Sequence, residues 1–261
     1  PGLVPSLLVG KTVAKMFAQM YGKPLVWVNH IEAHVFSVFL DRSRNDIHFP
    51  AVVLSASGGH NDLFYWKSLN ELERIGWTRD DSAWESMDKV GREMGLPFPS
   101  GPYMDKAATK WQNKKWEIKN EKSVSDRLFP IPLLEKDSLD FSFSGLKSAA
   151  LREIQERIQN WEFRIENWEK LAEEDINEIC FEYRESICLV LLEKIQRAMK
   201  QYDTEQLYLV GWVSANARLR ELLDEKEKQG DMHYLTPALL TYCGDNAAMV
   251  GITAYYQNST K

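Results

Sequence analysis

The pattern of apolar and polar positions along the chain predicts short strands alternating with helices. Apolar residues at helical spacing occur near the N-terminus, in the middle of the chain and at its end, whereas short β-prone runs are typical of buried strands. The predicted helices cover residues 6–21, 30–40, 82–95, a short stretch after Pro102, 143–201 with breaks, 214–228 and 246–257, and the predicted strands cover 25–29, 51–56, 62–66 and 207–211.

The order of these segments indicates an α/β fold. Apolar strands that lead into loops and then helices are typical of proteins with functional loops at strand ends. The strands at 51–56 and 62–66 are separated by a Ser-Gly-Gly turn, which predicts a β-hairpin. Residues 111–140 are polar and irregular in pattern, so we expect a loop there.

Composition narrows the class of protein. The 261 residues are 44% hydrophobic, which is enough for a sizeable core and excludes disorder. No apolar run approaches the length that spans a bilayer, and the N-terminal lysines follow the first apolar run instead of preceding it, unlike a signal peptide. We therefore expect a soluble, cytoplasmic protein with no membrane partner.

The cysteines argue against a disulfide framework and against a zinc ribbon. The chain has three, an odd number, and none forms a CxxC pair. Cys180 and Cys188 are eight residues apart within a helical pattern, which fits small buried side chains.

The charge of the chain does not indicate a DNA-binding protein. The formal net charge is −6, whereas a protein that binds nucleic acid alone usually has a basic face. A local patch at 110–127 combines basic residues with two tryptophans, which is a pattern that can hold phosphates and stack bases. The alternative is a solvated loop whose tryptophans pack on the core.

His30 and His34 are candidate metal ligands. They lie four residues apart on a predicted helix, about 40° apart around its axis, so both imidazoles can meet one ion. The spacing also fits two unrelated histidines. Asp245 is the best candidate for a third ligand, although an aspartate before a helix is also an ordinary cap.

A zinc protease is disfavoured, because its motif needs a glutamate directly after the first histidine. Here Ile31 occupies that position. Glu32 lies about 200° around the helix from His30 and points away from a metal held by both histidines.

Two segments could bind an anion or a nucleotide. The glycines after Ser57 allow backbone N–H groups to approach an anion, although the same sequence makes a plain hairpin turn. The segment 209–223 leads from a strand into a helix whose N-terminus could receive a phosphate, with Asn216 available to a ribose or base. Singly, Asp88 and Asp105, with Gly101 between them, fit surface carboxylates.

Six motifs in this order resemble the bacterial-type TsaD family of tRNA threonylcarbamoyltransferases, formerly called glycoproteases. The resemblance runs from Pro1 to about Tyr256. The motifs are HIEAH (30–34), LSASGGHN (54–61), DDSAWESMDKVGREMGLPFPSGP (80–102), FSFSGLKSA (141–149), GWVSANARLR (211–220) and YCGDNAAMVG (242–251).

The resemblance implies an actin-like ATPase or sugar-kinase superfamily fold, with two lobes around a nucleotide and metal cleft. It divides the chain into a remnant of the N-terminal lobe (1–48), a C-terminal lobe with a helical insertion (49–245), and a final helix that returns to the first lobe (246–261). It implies transfer of a threonylcarbamoyl group from threonylcarbamoyl-AMP to the exocyclic amine of the adenosine next to the anticodon in tRNA.

The resemblance also implies site residues and partners. The metal, iron or zinc, would be held by His30, His34 and Asp245, and no further catalytic residue is assigned. The implied partners are tRNA, an inactive paralogue and a small ATPase. The positions that match the binding of threonylcarbamoyl-AMP, an adenine nucleotide, are Ser55, Ala56, Ser57, Gly58, Gly59, Asp88, Gly101, Asp105 and Asn216.

Two departures from the family pattern leave alternatives open. No acidic, cysteine-bearing phosphate hairpin precedes Pro1, so we expect the first lobe to be incomplete and the chain to be N-terminally truncated. Trp212 replaces a family glycine, and an indole pointing inward would crowd the nucleotide. The alternatives are an O-carbamoyltransferase-like enzyme and an inactive fragment or scaffold that only binds partners.

Overall fold

A computed structural model of the chain describes residues 3–118, 127–132, 135, 137–162 and 171–259. The described residues form one five-stranded sheet with helices on both of its faces, which confirms the predicted α/β fold. The helices are α1 (Val4–Tyr21), α2 (His30–Phe36), α3 (Ala83–Glu93), α4 (Gly101–Ile118), α5 (Ser144–Glu162), α6 (Glu173–Gln201), α7 (Ala217–Gln229) and α8 (Ala247–Ser259), and the strands are β1 (Ala51–Ala56), β2 (Asn61–Ser68), β3 (Glu71–Gly76), β4 (Gln206–Val210) and β5 (His233–Leu235).

The sheet has the order β3-β2-β1-β4-β5, with β1 in the middle. All six residues of β1 are buried, as expected for a central strand with an almost wholly apolar sequence. It pairs antiparallel with β2, which confirms the predicted hairpin, and parallel with β4, where Ser55 lies opposite Val210. The edge strands are a charged β3 and a three-residue β5, and both features discourage pairing with another chain.

The two faces of β1 serve two separate cores, because alternate side chains of a strand point in opposite directions. Val52 and Leu54 face the larger core, which also contains the buried faces of α3 to α6. Ala51 and Val53 face a smaller core that includes Phe36 of α2. The helix bearing the paired histidines therefore packs directly on the back of the central strand.

The prediction of a strand at 25–29 is wrong. No strand of the described sheet pairs with these residues, and Val26 and Trp27 are exposed. A β-prone sequence becomes a strand only where a neighbour satisfies its backbone groups. The last residue of the segment, Asn29, instead caps α2 by accepting hydrogen bonds from the Ile31 and Glu32 backbone N–H groups.

The predicted loop at 111–140 is also wrong in its first part, because α4 continues to Ile118. Lys110 and Lys114 of this helix pair with Glu173 and Glu174 at the start of α6. The patch predicted at 110–127 is thus partly helical and partly neutralised. Its residues 119–126 lie outside the described residues, as do 163–170 between the long helices α5 and α6.

Two strands were absent from the sequence-based prediction, β3 and β5. Their residues are largely polar or few in number, so the periodicity that marks a strand is weak. In the part of the chain that the structure describes, no helix is both long enough and apolar enough to cross a membrane.

We predict that all three thiols are unreactive in the folded chain. Cys180, Cys188 and Cys243 are buried, and burial raises the pKa of Cys180 to about 12 and raises the pKa of Cys188 further. Ellman's reagent at neutral pH should titrate no thiol within minutes in native buffer and all three in guanidinium chloride. Rapid modification of one thiol in the native chain would contradict the packing described here.

Candidate functional site

The site is built on the parallel pair β1 and β4, whose carboxyl ends lie at the same edge of the sheet. After β1 the chain forms the turn 57–60, and after β4 it forms a short 3₁₀ segment, Trp212–Ala215. Gly211 joins β4 to this segment with φ +82°, and a Cβ atom there would lie 2.4 Å from the carbonyl oxygen of Ala56. Only glycine fits this position, and it lets the two connections leave the sheet side by side.

The Ser-Gly-Gly turn presents backbone and not side chains. The Ser57 backbone N–H donates to the His60 carbonyl over 2.9 Å, and the Ser82 hydroxyl donates to the Gly58 carbonyl over 2.8 Å. Gly58 and Gly59 are exposed and face open space. Ser55 and Ala56 are buried within β1, at the base of this turn.

Asp88 and Gly101 lie together at the start of α4. The Asp88 Oδ1 atom accepts from the Ser100 backbone N–H over 2.6 Å and from that of Gly101 over 3.3 Å. The Trp84 ring fills the space where a side chain at 101 would stand, since a Cβ atom there would lie 2.2 Å from it. Asp88 is therefore a capping residue of α4 and not a free surface carboxylate.

Asp105 and Asn216 meet although they are far apart in the sequence. The Asn216 Nδ2 atom donates to Asp105 Oδ1 over 3.4 Å, and its Oδ1 atom accepts from the Leu219 backbone N–H, which caps α7. Arg184 of α6 donates to the same Asp105 oxygen over 3.1 Å. The start of α7 and the first turns of α4 thus form one polar cluster.

His30, His34 and Asp245 also converge. The Asp245 Oδ1 atom lies 3.4 Å from His30 Nε2 and 3.1 Å from His34 Nε2, and one ligand atom from each residue lies within 4.8 Å of the others. The two imidazole rings are 4.8 Å apart and nearly perpendicular. Two nitrogens and a carboxylate oxygen are the donors that zinc and non-haem iron accept.

His34 is poor in partners from the protein. Its side chain is 1% exposed, and among the described residues neither of its ring nitrogens has a hydrogen bond of good geometry. Burial and the neighbouring His30 lower the pKa of His34 against the opposing effect of Asp245. A neutral, unsatisfied imidazole is the form that binds a metal, so the residues present fit such an ion.

The sequence also allowed Asp245 to be a helix cap, but the neighbouring Asn246 is the cap of α8. The Asn246 Oδ1 atom accepts from the Met249 backbone N–H over 2.8 Å and so caps α8. Asp245 is free to face the histidines and keeps 76% of its side chain exposed. Glu32 lies on the other side of α2, where it accepts a hydrogen bond from Gln257 of α8. This placement agrees with the sequence-based argument against a zinc protease.

The loop that carries Asp245 is held at two points. The Tyr242 hydroxyl donates to Asp41 over 2.6 Å. The indole of Trp212 lies against Gly244, close enough that a Cβ atom at 244 would come within 3.3 Å of the ring. Trp212 is 49% exposed and joins the loop of Asp245 to the segment that leads to Asn216.

The structure thus gathers the predicted residues into three local groups. These are the histidine–aspartate cluster, the Ser-Gly-Gly turn with the capped start of α4, and the pair Asp105–Asn216. The sequence-based prediction missed Arg184 and Ser82. The sequence could have indicated that Arg184 is buried, because it lies one turn from both Cys180 and Cys188 and therefore on the buried face of their helix.

The chain is an α/β protein with two polar loops at one end of a parallel strand pair. A cluster of two histidines and one carboxylate lies beside these loops. This arrangement is typical of the α/β proteins that bind ligands at strand ends. Comparison with known families narrows the class. The sequence profile described as "TsaD: tRNA N6-adenosine threonylcarbamoyltransferase" matches residues 1–252, and the chain belongs to this family.

Curated relatives agree over almost the whole chain. The chain is 37% identical over 258 residues to the tRNA N6-adenosine threonylcarbamoyltransferase of Aster yellows witches'-broom phytoplasma, covering 99% of the chain and 83% of that protein. It is 36% identical to the protein of the same name from Syntrophomonas wolfei, covering 98% of the chain and 68% of the relative. It is 40% identical to that from Bacillus subtilis, covering 96% and 65%.

We predict that Gly211→Ala destabilises the chain by about 3 kcal/mol, because it adds a strained φ and a clash with the Ala56 carbonyl. Gly58→Ala is the matched control. Its Cβ atom meets open space, so its effect should stay within about 1 kcal/mol. Guanidinium unfolding of both variants measures the difference, and equal midpoints would show that the close approach of the two loops is not a constraint.

Proposed function

We propose that the chain transfers the threonylcarbamoyl group from threonylcarbamoyl-AMP to the exocyclic amine of the adenosine next to the anticodon in tRNA. Membership of the family and the names of its relatives support this activity. The observation that carries it is the convergence of His30, His34 and Asp245 beside the two loops at the ends of β1 and β4.

One divalent ion, iron or zinc, is proposed at this cluster. The unsatisfied ring nitrogens of His34 and the carboxylate left uncommitted by the α8 cap support that assignment. When bound, such an ion supplies Lewis-acid polarisation of a carbonyl or phosphate oxygen. Both metals accept this set of donors, and the choice between them is open to measurement.

The adenylate is proposed to bind across the other two groups. Backbone N–H groups at Gly58 and Gly59 are open to an anion, whereas the N-terminus of α4 is already occupied by the Asp88 carboxylate. Asp105 and Asn216 offer an acceptor and a donor to the nucleoside. Asp88 and Gly101 shape the start of α4.

The transfer itself needs positioning above all. The amine nitrogen of adenosine forms a bond to the carbamoyl carbon, the bond from that carbon to the phosphate oxygen breaks, AMP leaves, and the amine loses one proton. The leaving group is already activated as a mixed anhydride, so no protein nucleophile is required. The residues of the chain hold the two reactants in register, which accounts for much of the acceleration in reactions of this type.

Further parts of the proposal concern partners and organisation. The acceptor is tRNA, and because the chain is acidic we propose that it works with an inactive paralogue and a small ATPase in the cytoplasm. We also propose three units, 1–48, 49–245 and 246–261. The tilted contact between the rings of Tyr256 and Phe36, at 6.3 Å between ring centres, supports the return of α8 to the N-terminal unit.

A reconstituted assay tests the activity. The purified chain is mixed with unmodified tRNA, ATP, threonine, bicarbonate, the threonylcarbamoyl-AMP synthase and the bacterial partner proteins, and digested tRNA is analysed by mass spectrometry. We expect threonylcarbamoyladenosine above the level of a control without the chain. A folded, metal-loaded chain that forms none would favour the scaffold alternative.

We predict that His34→Ala loses both the metal and the transfer activity, with activity falling by at least about a hundredfold because one ligand of three is removed. Metal content is measured by mass spectrometry after gel filtration, and activity by the assay above. His48→Ala, at an exposed histidine outside the cluster, is the control and should keep both. A His34→Ala chain that keeps metal and activity would refute the metal site.

A further inference from the structure

Arg184 is a guanidinium held in the interior of the protein. Its side chain on α6 is 3% exposed, and it lies one helical turn from both Cys180 and Cys188, which are also buried. A charge removed from water is costly unless it is paired and hydrogen-bonded. The partners of Arg184 therefore indicate what the buried charge is for.

The polar contacts of Arg184 lie mainly on α4. The Nη1 atom donates to Asp105 Oδ1 and to Thr109 Oγ1, each over 3.1 Å, and more weakly to the Asp105 carbonyl over 3.4 Å. The Nη2 atom donates to Gln112 Oε1 over 2.6 Å and lies 3.8 Å from Glu185. The planar fork thus grips two turns of α4 at once, which a lysine ammonium cannot do.

Hydrogen bonds fix one oxygen of the Asp105 carboxylate, Oδ1, and leave Oδ2 open to a ligand. Oδ1 accepts from Arg184 and from Asn216 Nδ2. No hydrogen bond from the described residues reaches Oδ2, and the Asp105 side chain is 28% exposed. Since Asn216 is itself locked as the cap of α7, the carboxylate is held from two sides.

We infer that Arg184 is a positioning residue for nucleotide binding, which holds Asp105 so that its second oxygen accepts a hydrogen bond from a ribose hydroxyl of the adenylate. The inference rests on the proposed function for its assignment of Asp105 to the nucleotide. A carboxylate oxygen accepts hydrogen bonds and repels phosphate, so within an adenylate its partner is a ribose hydroxyl or the exocyclic amine of the base. Equal binding of AMP and of an analogue without ribose hydroxyls by the wild-type chain would assign Asp105 to the amine and overturn the inference.

The test is calorimetric binding of AMP, with 2′,3′-dideoxy-AMP as the probe without hydroxyls, to the full chain. Arg184→Met should weaken AMP binding about ten- to a hundredfold, because a charged hydrogen-bond network is lost. Arg184→Lys should rescue part of the loss. Arg197→Met is the matched control, since Arg197 lies further along the same helix and pairs there with Glu193.

Two readouts separate positioning from general stability. The preference of the wild-type chain for AMP over dideoxy-AMP should shrink in Arg184→Met, whereas a merely less stable chain keeps it. In an Asp105→Asn background, Arg184→Met should add little further loss. Additive losses, or an unchanged preference for AMP, would overturn the inference.

Further results would also overturn the inference. If the wild-type chain binds no AMP, or if Asp105→Asn binds it as tightly as wild type, the assignment of Asp105 under the proposed function fails and the inference falls with it. If Arg184→Met does not fold, Thr109→Val and Gln112→Leu loosen the guanidinium without removing its charge. We expect each to weaken AMP binding several-fold, and wild-type affinity in both would overturn the inference.

Discussion

The parallel pairing of β1 with β4 is the constraint on which the rest of the site depends. It places Ala56 and Gly211 against each other, so closely that position 211 has no room for a side chain. The loops that follow these two residues must then run side by side. One supplies open backbone amides, and the other leads through Trp212 to Asn216 and the start of α7. A change in the register of this pair would move the two loops apart.

A second feature is how the polar ends of helices are satisfied. Asn29, Asn246 and Asn216 each accept hydrogen bonds from the first turn of the helix that follows them. Because the asparagines meet this need, the carboxylate of Asp245 is not used as a cap and faces the histidines instead. Asp88 is the exception, since its carboxylate holds the start of α4 from a neighbouring helix.

Much of the fold could be predicted from the chain, because its main elements have strong local signals. The apolar run of β1, the Ser-Gly-Gly turn and the amphipathic pattern of α3 are of this kind. The misses arose where the deciding contact is distant. Residues 25–29 have the composition of a strand but no strand of the described sheet beside them, and Lys110 and Lys114 of α4 pair with glutamates 63 and 60 positions away.

The residues of the candidate site likewise divide into those that local sequence predicts and those that depend on distant contacts. The histidine spacing is local, and the helix geometry alone shows that both rings can meet. Whether Asp245 or Asn246 caps α8 is not encoded in their order, since both residue types are favoured caps. The partnership of Arg184 with Asp105 spans 79 positions, and only the packing of α6 on α4 reveals it.

The contact between Trp212 and Gly244 couples the sizes of the side chains that can occupy these two positions, which are far apart in the chain. A Cβ atom at 244 would lie 3.3 Å from the indole of Trp212, which is a tight contact. A side chain at 244 therefore requires the indole to shift by a few tenths of an ångström or a smaller residue to stand at 212. In relatives with a small residue at 212, position 244 is released from this restriction, so the two positions should covary.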